Sequence, residues 1–165
     1  MPPVLPPNAL EVISHSAEQT RRVGVRLGAL LHPGDLVCLH GDLGTGKTTF
    51  VQGVARGWGA YDQVTSPTFV LINVYRRTDN GQLFHVDAYR LGGPQEAWDL
   101  DLDAYLESGP LLIEWAERID EALPTERLDV TFTWRDDTQR DLLFTARGAH
   151  YEALLHELRR RTFGR

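Results

Sequence analysis

The chain has 165 residues, 42% of them hydrophobic, and a formal net charge of −6 at pH 7. This length fits one domain with a core of its own, and the absence of any run of about 18 apolar residues excludes a membrane-spanning helix. The negative charge argues against a domain that binds nucleic acid without a partner, since such a domain usually presents a basic face. A single cysteine, with no basic and apolar leader at the N-terminus, predicts a cytoplasmic protein without an internal disulfide.

The first half of the chain begins with a proline-rich segment and continues as an alternation of strands and helices. Residues 1–10 carry four prolines and predict an extended, mobile arm that precedes a single domain over 11–165. Ser16 and Gln19 form a capping-box pattern, which predicts that a helix starts there. The predicted elements of this half are a short strand over 11–14, a helix over 17–31, an apolar strand over 35–40 and a helix from 46 to about 56, ended by Gly57 and Gly59.

The second half of the chain predicts more strands than helices. The turn residues at 79–81 lie between two apolar runs and indicate an antiparallel hairpin. The run at 111–114 is wholly apolar until its final glutamate, a pattern typical of a buried parallel strand. The predicted elements are strands over 68–75, 83–87, 111–114, 128–134 and 142–147, one or two short helices within 94–107, and an amphipathic helix over 149–161.

The segment from Gly41 to Thr48 carries the strongest functional signal. It reads Gly-x-x-x-x-Gly-Lys-Thr and lies between a predicted strand and a predicted helix, as a phosphate-binding loop requires. Its glycines let the backbone aim N–H groups at phosphate oxygens, and the N-terminus of the following helix favours an anion. Lys47 is the one lysine among 17 basic residues, which indicates that a compact ammonium is needed there. The pattern predicts that Lys47 binds the phosphates of ATP and that the Thr48 hydroxyl binds Mg²⁺.

A site for Mg²⁺ and a nucleotide also needs a carboxylate, usually at the end of a neighbouring apolar strand. Asp87 and Glu114 both end such strands, and the residues leave open which of them binds Mg²⁺ and which orients the attacking water. Thr68 follows a Ser-Pro pair, so it either senses the γ-phosphate as a switch loop does or only begins a strand. Trp115 belongs either to the core or to the mouth of the nucleotide site, and it falls on the opposite face from Glu114 if the strand continues.

Four motifs, in this order and at these separations, resemble the bacterial YjeE/TsaE family, the ATPases of tRNA threonylcarbamoyladenosine biosynthesis. They are Gly41–Phe50 (GDLGTGKTTF), Ser66–Phe69 (SPTF), His85–Leu91 (HVDAYRL) and Ile113–Trp115 (IEW), and Leu123-Pro124 fits as well. The resemblance covers roughly residues 11–147 and leaves out the proline-rich arm and the arginine-rich tail. It implies a P-loop NTPase fold of the α/β class, a three-layer α/β/α sandwich whose mixed sheet is partly antiparallel.

The resemblance implies ATP hydrolysis that is weak alone and stimulated by two partner proteins. These partners are the threonylcarbamoyl-transferase subunit and its non-catalytic paralogue. The whole assembly modifies the adenosine beside the anticodon in tRNAs that read codons starting with A. With a net charge of −6, this chain is expected to meet tRNA indirectly, through that complex. The oligomeric state of the chain alone is left open.

The resemblance also implies roles for individual residues. It places Thr48 and Glu114 at Mg²⁺ and makes Asp87 necessary for hydrolysis. Arg140 and the segment near Ser14 are implied to contact the nucleotide, the latter at its base. The candidate nucleotide-binding residues are Ser14, Gly44, Thr45, Gly46, Lys47, Thr48, Thr49, Trp115 and Arg140, and the candidate catalytic residues are Lys47, Thr68, Asp87 and Glu114.

Two other functions share the phosphate-binding loop. A small-molecule kinase usually has this loop near its N-terminus and an arginine-rich lid, whereas here a whole helix precedes the loop. Residues 94–107 are acidic, and an acidic lid would repel the phosphates of ATP. A nucleotide-binding adaptor that does not hydrolyse ATP is disfavoured because Lys47, Thr48, Asp87 and Glu114 are all present. Phosphate release without a small-molecule acceptor would separate the ATPase from both.

Overall fold

The computed structural model describes residues 4–42, 44–64 and 71–164. Thr68 and the Ser-Pro pair before it lie outside the described residues, so their predicted role is not placed by the structure. The described strands are β1 (Ala9–Ser14), β2 (Leu36–His40), β3 (Ile72–Arg76), β4 (Gln82–Asp87), β5 (Leu111–Glu114), β6 (Arg127–Trp134) and β7 (Arg140–Arg147). The described α-helices are α1 (Ala17–Gly28), α2 (Lys47–Trp58), α3 (Pro94–Asp99), α4 (Leu102–Ser108) and α5 (Ala149–Phe163), and short 3₁₀ helices span Ala88–Arg90 and Ala116–Ala122.

The strands form one mixed sheet in the order β1, β7, β6, β2, β5, β4, β3. The four central strands are parallel, because β2 pairs in parallel with both β5 and β6 and β5 pairs in parallel with β4. The outer strands β7 and β3 run antiparallel to their inner neighbours. The parallel strand at 111–114 and the antiparallel hairpin around residues 79–81 are therefore confirmed, and so is the partly antiparallel sheet.

Apolar side chains cover both faces of the sheet and make it the middle of three layers. Alternate residues of β2 point to opposite faces: Val37 and Leu39 belong to one buried cluster, Leu36 and Cys38 to the other. The first cluster is covered by α1, α2 and α5, and the second by α3, α4 and the 3₁₀ helix at 116–122. The predicted α/β/α sandwich is confirmed.

Some predicted boundaries differ from the observed ones. The first strand begins at Ala9 rather than at residue 11, so the last two residues of the predicted arm pair with β7. Helix α1 ends at Gly28 rather than at 31, because Leu30 and Leu31 donate to carbonyl oxygens three residues back and tighten the chain into a turn. The mobility of the arm remains a prediction.

The prediction that Gly57 ends the second helix was wrong. Helix α2 runs on to Trp58 and is closed by Gly59, which adopts the left-handed conformation (φ 103°) that favours glycine at a helix end. Gly57 instead lies where α2 crosses α1: a Cβ built there would lie 1.9 Å from the carbonyl oxygen of Val25. Its lack of a side chain is needed for packing and not for termination.

Glycines on both helices bring the backbones of α1 and α2 into direct contact. They are spaced four residues apart, Gly24 and Gly28 on α1 and Gly53 and Gly57 on α2, so each pair lies on one face. A Cβ at any of the four would lie within 2.4 Å of a backbone oxygen of the other helix. The helix that follows the glycine-rich loop is thus fixed against α1 without intervening side chains.

Candidate nucleotide site

The glycine-rich loop connects the carboxyl end of β2 to the N-terminus of α2, as its sequence predicts. Gly44 and Gly46 have positive φ angles of 79° and 100°, which a residue with a Cβ rarely adopts. Helix α2 starts at Lys47 without a side-chain cap, so its first N–H groups face the loop. Leu43 lies outside the described residues. This arrangement suits a bound anion, since free N–H groups and the positive end of the helix dipole point to one place.

Lys47 is folded back against its own loop. Its side chain is buried, with the residue 5% exposed, and Nζ donates a hydrogen bond of 2.5 Å to the carbonyl oxygen of Gly41. Nζ also lies 3.9 Å from the centre of the Trp115 ring. Burial lowers the pKa of Lys47, and the negative charges of Glu114, Glu117 and Asp87 oppose that shift. The ammonium is therefore held by a carbonyl and a ring, both of which an anionic ligand can replace.

A cavity of 280 Å³ joins the loop to the ends of β4 and β5. Eight of the residues named as candidates line it: Gly44, Gly46, Lys47, Thr48, Thr49, Asp87, Glu114 and Trp115. Asp87 and Glu114 meet here because they are register partners at the carboxyl ends of adjacent parallel strands. Residues up to 71 positions apart in the sequence, Gly44 and Trp115, thus form one site.

The two carboxylates differ in their surroundings. Glu114 is buried, with 6% of the residue exposed, and its Oε2 lies 2.6 Å from Nε2 of His85. Asp87 is half-buried, and its Oδ1 accepts a hydrogen bond of 2.9 Å from the backbone N–H of Tyr89. One carboxylate is therefore fixed within the protein, whereas the other lies nearer the solvent.

Trp115 lines the same cavity as Glu114, and the condition of the prediction, that the strand continues, is not met. Strand β5 ends at Glu114, and Trp115 takes a left-handed conformation (φ 59°) that turns the chain. Its ring contacts Lys47 on the cavity side, and its centre lies 5.2 Å from that of the exposed Tyr89 ring, with the two rings tilted by 55°. The alternation of a strand does not hold beyond its last residue, which is why the face was not predictable.

A second cavity of 400 Å³ adjoins the first and shares Gly44, Gly46 and Thr49 with it. Arg140 lines this second cavity, and its guanidinium lies 4.0 Å from the ring of Trp134. The other residues around it are His15, Ser16, Ala17, Thr20, Asp137 and Thr138. Its position beside the loop suits the base and sugar of a nucleotide whose phosphates lie in the first cavity.

Among the candidates that the structure describes, Ser14 and Thr45 do not line either cavity. Ser14 is 1% exposed, and its hydroxyl bonds to the carbonyl oxygen of Ser16 at 2.8 Å and to the hydroxyl of Thr20 at 2.7 Å. Thr45 is also buried, and its hydroxyl donates to the carbonyl oxygen of Asp42 at 2.7 Å. Ser14 supports the wall of the second cavity from behind, and Thr45 fixes the shape of the loop.

Sequence reasoning missed two histidines beside the site. His85 is buried between Glu114 and Tyr75, and His40 directly precedes the loop. His40 bridges two carboxylates, with Nδ1 3.0 Å from Glu117 and Nε2 2.8 Å from Asp129. Burial alone would lower the pKa of His40, but the hydrogen bonds to Asp129 and Glu117 outweigh it and raise the pKa. The signal for His85 was its place two residues before Asp87, on the same face of a strand.

The donor set fits a magnesium–nucleotide complex. Mg²⁺ prefers oxygen ligands, and the Thr48 hydroxyl and the carboxylates of Asp87 and Glu114 line one cavity. The loop beside them offers N–H groups and one ammonium to the phosphates.

The comparison with known families agrees with this geometry. The model of the family described as threonylcarbamoyl adenosine biosynthesis protein TsaE matches residues 14–142, most of the chain. The chain belongs to the TsaE family. The match begins at Ser14 and ends beyond Arg140, so it contains every candidate residue named above.

Individual TsaE relatives are similar over most of their length. The Bacillus subtilis (strain 168) protein named tRNA threonylcarbamoyladenosine biosynthesis protein TsaE is 43% identical over 146 residues, 87% of this chain and 89% of the relative. The Streptomyces coelicolor protein of the same name is 49% identical over 110 residues, 66% of this chain and 74% of the relative. A crystal structure of Bacillus subtilis YdiB superposes with a TM-score of 0.78 and 38% identity, covering 93% of this chain and 96% of that one. The TsaE fold, a P-loop NTPase-like α/β fold, is thus confirmed by sequence and structure.

In the described part of the chain, no helix combines the length and apolar character that crossing a bilayer requires.

Proposed function

We propose that this protein is a cytoplasmic, magnesium-dependent ATPase of tRNA threonylcarbamoyladenosine biosynthesis, in which ATP is hydrolysed to ADP and phosphate. The observation that carries the proposal is the meeting of Lys47, Thr48, Asp87 and Glu114 in one cavity at the end of the phosphate-binding loop. Membership of the TsaE family supports the pathway, and the cavity supports the reaction.

The nucleotide would be held by the loop and the start of α2. The N–H groups of residues 44–49 would receive the phosphate oxygens, and Lys47 would exchange Gly41 and Trp115 for the β- and γ-phosphates. Arg140 and the second cavity would hold the base and sugar, with Ser14 supporting them through Thr20. Binding therefore needs little movement of the backbone, because the glycine conformations already form the loop.

The two carboxylates would have different roles at the γ-phosphate, one in binding Mg²⁺ and one in orienting water. Thr48 and the buried Glu114 would hold Mg²⁺, which when bound supplies positive charge to the phosphate oxygens. Asp87, less buried, would orient the attacking water and accept its proton by way of solvent. The sequence-based role of Thr68 as a sensor of the γ-phosphate remains part of the proposal.

Two partner proteins are expected to raise the rate. We propose that the threonylcarbamoyl-transferase subunit and its non-catalytic paralogue stimulate hydrolysis, and that hydrolysis acts on their complex during modification of the adenosine beside the anticodon in tRNAs that read A-starting codons. A P-loop site is often incomplete around the γ-phosphate until a partner orders it. The exposed ring of Tyr89 beside Trp115 is a place where a partner could act on the site.

The test is the rate of phosphate release with and without the two partners of the same organism, at one fixed salt concentration. We expect at least about tenfold stimulation, equal to about 1.4 kcal/mol of barrier. Asp87→Ala is the matched control, because it should bind nucleotide with or without the partners and release at least about 100-fold less phosphate than the wild type with them. Absence of stimulation, together with phosphorylation of a small metabolite, would favour the kinase instead.

A further inference from the structure

A chain of three buried polar side chains lies behind the magnesium side of the cavity. His85 has none of its surface exposed, and Tyr75 and Glu114 are 3% and 6% exposed. Nε2 of His85 lies 2.6 Å from Oε2 of Glu114, and Nδ1 lies 3.0 Å from the hydroxyl of Tyr75. Both ring nitrogens are thus occupied by side chains, although the histidine is surrounded by the apolar cluster that α2 covers.

The sheet itself brings these three residues together. Strands β3, β4 and β5 are neighbours, and each contributes one member. On β4 the side chains of His85 and Asp87 share a face, and Asp87 pairs in register with Glu114 on β5. His85 therefore lies one step behind the two carboxylates on the face that carries the nucleotide site.

The chemistry of the three groups fixes the direction of each hydrogen bond. An ionised Glu114 can only accept, so Nε2–H of His85 donates to Oε2. With the ring proton on Nε2, Nδ1 is an acceptor, and the hydroxyl of Tyr75 donates to it. Burial, with the nearby charge of Glu114, raises the pKa of Tyr75 to about 12, so this hydroxyl keeps its proton. Tyr75 thereby selects the histidine tautomer that has its proton on the nitrogen facing Glu114.

We propose that His85 is a positioning residue: it holds Oε2 of Glu114 so that Oε1 is presented to Mg²⁺, and Tyr75 sets its tautomer from behind. The proposal rests on the proposed function, since it assigns Glu114 to Mg²⁺. Ligand carboxylates held by a hydrogen-bonded neighbour bind metal more tightly, because their orientation is fixed before the metal arrives. A buried histidine needs partners for both nitrogens in any role. What points to positioning is that one of these partners is Glu114, a carboxylate that lines the cavity.

Three variants and a control separate positioning from packing. His85→Leu removes both hydrogen bonds at similar bulk, His85→Gln restores a donor near the position of Nε2, and Tyr75→Phe removes the hydroxyl alone. His150→Leu is the matched control, because His150 makes an equally short contact of 2.6 Å, to Asp35, at the other end of β2 from the loop. The measurements are the Mg²⁺ concentration that half-saturates ADP binding, the affinity for ADP in EDTA, and thermal unfolding of each variant.

We expect the Mg²⁺ concentration that half-saturates ADP binding to be at least about tenfold higher in His85→Leu than in the wild type. Its affinity for ADP in EDTA should stay within about twofold of the wild type. His85→Gln should recover most of the loss, Tyr75→Phe should show a smaller loss, and His150→Leu should show none. In a Glu114→Ala background, His85→Leu should have no further effect on the Mg²⁺ requirement. Nitrogen NMR of the ligand-free protein should show the His85 proton on Nε2.

A folded His85→Leu with an unchanged Mg²⁺ requirement would overturn the proposal. If His85→Leu does not fold, Tyr75→Phe and the NMR decide: an unchanged requirement in Tyr75→Phe, or a proton on Nδ1 in the wild type, overturns it equally. A wild-type protein whose ADP binding ignores Mg²⁺ would refute the proposed function itself, and the role of His85 with it. The two refutations are distinguishable, because a result for a His85 or Tyr75 variant or for the His85 tautomer bears on the positioning role. Only Mg²⁺-independent ADP binding by the wild type bears on the proposed function.

Discussion

At the scale of single residues, Lys47 is the group whose chemistry is least replaceable. Its ammonium fits between the Gly41 carbonyl oxygen and the Trp115 ring in a buried space. We expect Lys47→Ala to lose at least about 100-fold in ATP turnover, since a preorganised cation is removed from the phosphates. Lys47→Arg should fail as well, because a planar guanidinium is too large for that space. Turnover assays on both folded variants check this, and near-normal turnover with arginine would contradict the loop's assignment.

The two carboxylates should respond differently to removal. Glu114→Ala is expected to weaken Mg²⁺-dependent ADP binding, because the buried carboxylate is lost from the metal side of the cavity. Asp87→Ala should bind normally and lose about 10²-fold or more in hydrolysis, the usual effect of losing a positioned base. Titration of Mg²⁺ against bound ADP, with turnover measured in parallel, distinguishes the roles. Equal losses of affinity in both variants would show that the roles are shared.

The raised pKa of His40 predicts that the stability of the fold falls as the pH rises above about 6.5. Its pKa in the folded protein is raised, mainly by hydrogen bonds to Asp129 and Glu117 that outweigh burial. Because this pKa is higher in the folded than in the unfolded protein, protonated His40 stabilises the folded state. The stabilisation is complete below the unfolded pKa of about 6.5 and is lost as the pH rises through the pKa of the folded protein. Burial would raise the pKa of Asp129, but its contacts with His40 and two arginines lower it. The stabilisation that Asp129 gives is therefore lost at acidic pH, as the pH falls through its folded-state pKa.

The measurement is the free energy of unfolding of the wild type minus that of His40→Asn, by urea titration. We expect this difference to be largest near about pH 6 and to shrink toward about pH 9. The subtraction removes the titration of the other histidines. A difference that stays constant across this range would show that His40 is not charged between Asp129 and Glu117.

At the scale of elements, the crossing of α1 and α2 determines how firmly the loop is supported. A Cβ at Gly53 would lie 2.1 Å from the carbonyl oxygen of Arg21, and one at Gly24 would lie 2.4 Å from that of Phe50. Because backbone atoms cannot give way, the helices must separate, although alanine itself favours a helix by up to about 1 kcal/mol. The crossing therefore depends on glycine at these positions.

We expect Gly24→Ala and Gly53→Ala each to lower the free energy of unfolding by about 1–3 kcal/mol, the usual effect of overpacking. They should also weaken ADP binding, since α1 and α2 both border the second cavity through their first residues. Gly92→Ala is the control, because its Cβ would meet only the flexible carboxylate of Glu96. Denaturant titrations of the three variants test this, and equal stabilities would mean that the helices can shift apart freely.

At the scale of the whole molecule, the charge predicts how strongly this protein by itself would bind tRNA. The net charge is −6, and two of the three arginines of α5 are paired with a glutamate of the same helix. Arg160 and Arg161 both pair with Glu157, and their hydrogen bonds lower the pKa of Glu157 to about 2. The positive tail is thus partly neutralised within its own helix.

We expect the isolated protein to bind tRNA no more tightly than about 10⁻⁴–10⁻⁶ M at physiological salt, the range of non-specific contacts. Fluorescence anisotropy of labelled tRNA, with and without the two partner proteins, tests this at one salt concentration. Glu157→Gln, which frees the two arginines, is the sensitive variant. Nanomolar binding by the chain alone would contradict the view that tRNA is met through the complex.

The sequence by itself determined the features that neighbouring residues encode. The spacing of Gly41, Gly46 and Lys47 predicted the loop, because a phosphate-binding loop needs these residues at fixed positions within one short segment. The apolar run ending in Glu114 predicted a buried parallel strand, and the turn at 79–81 predicted the hairpin, since both patterns are local. The place of the loop between β2 and α2, the parallel strand and the hairpin are confirmed, whereas phosphate binding by the loop stays a prediction.

The tertiary structure decided what depends on residues far apart in the chain. His85 and Glu114 are separated by 29 positions and meet only because β4 and β5 pair in one register. The local sequence predicted Gly57 as a helix end, whereas its close packing against Val25 of another helix is the reason for glycine there. Trp115 turned into the cavity because its strand ended one residue earlier. Period and spacing describe a single element, whereas contacts between elements arise from the packing of the whole sheet, which no short pattern encodes.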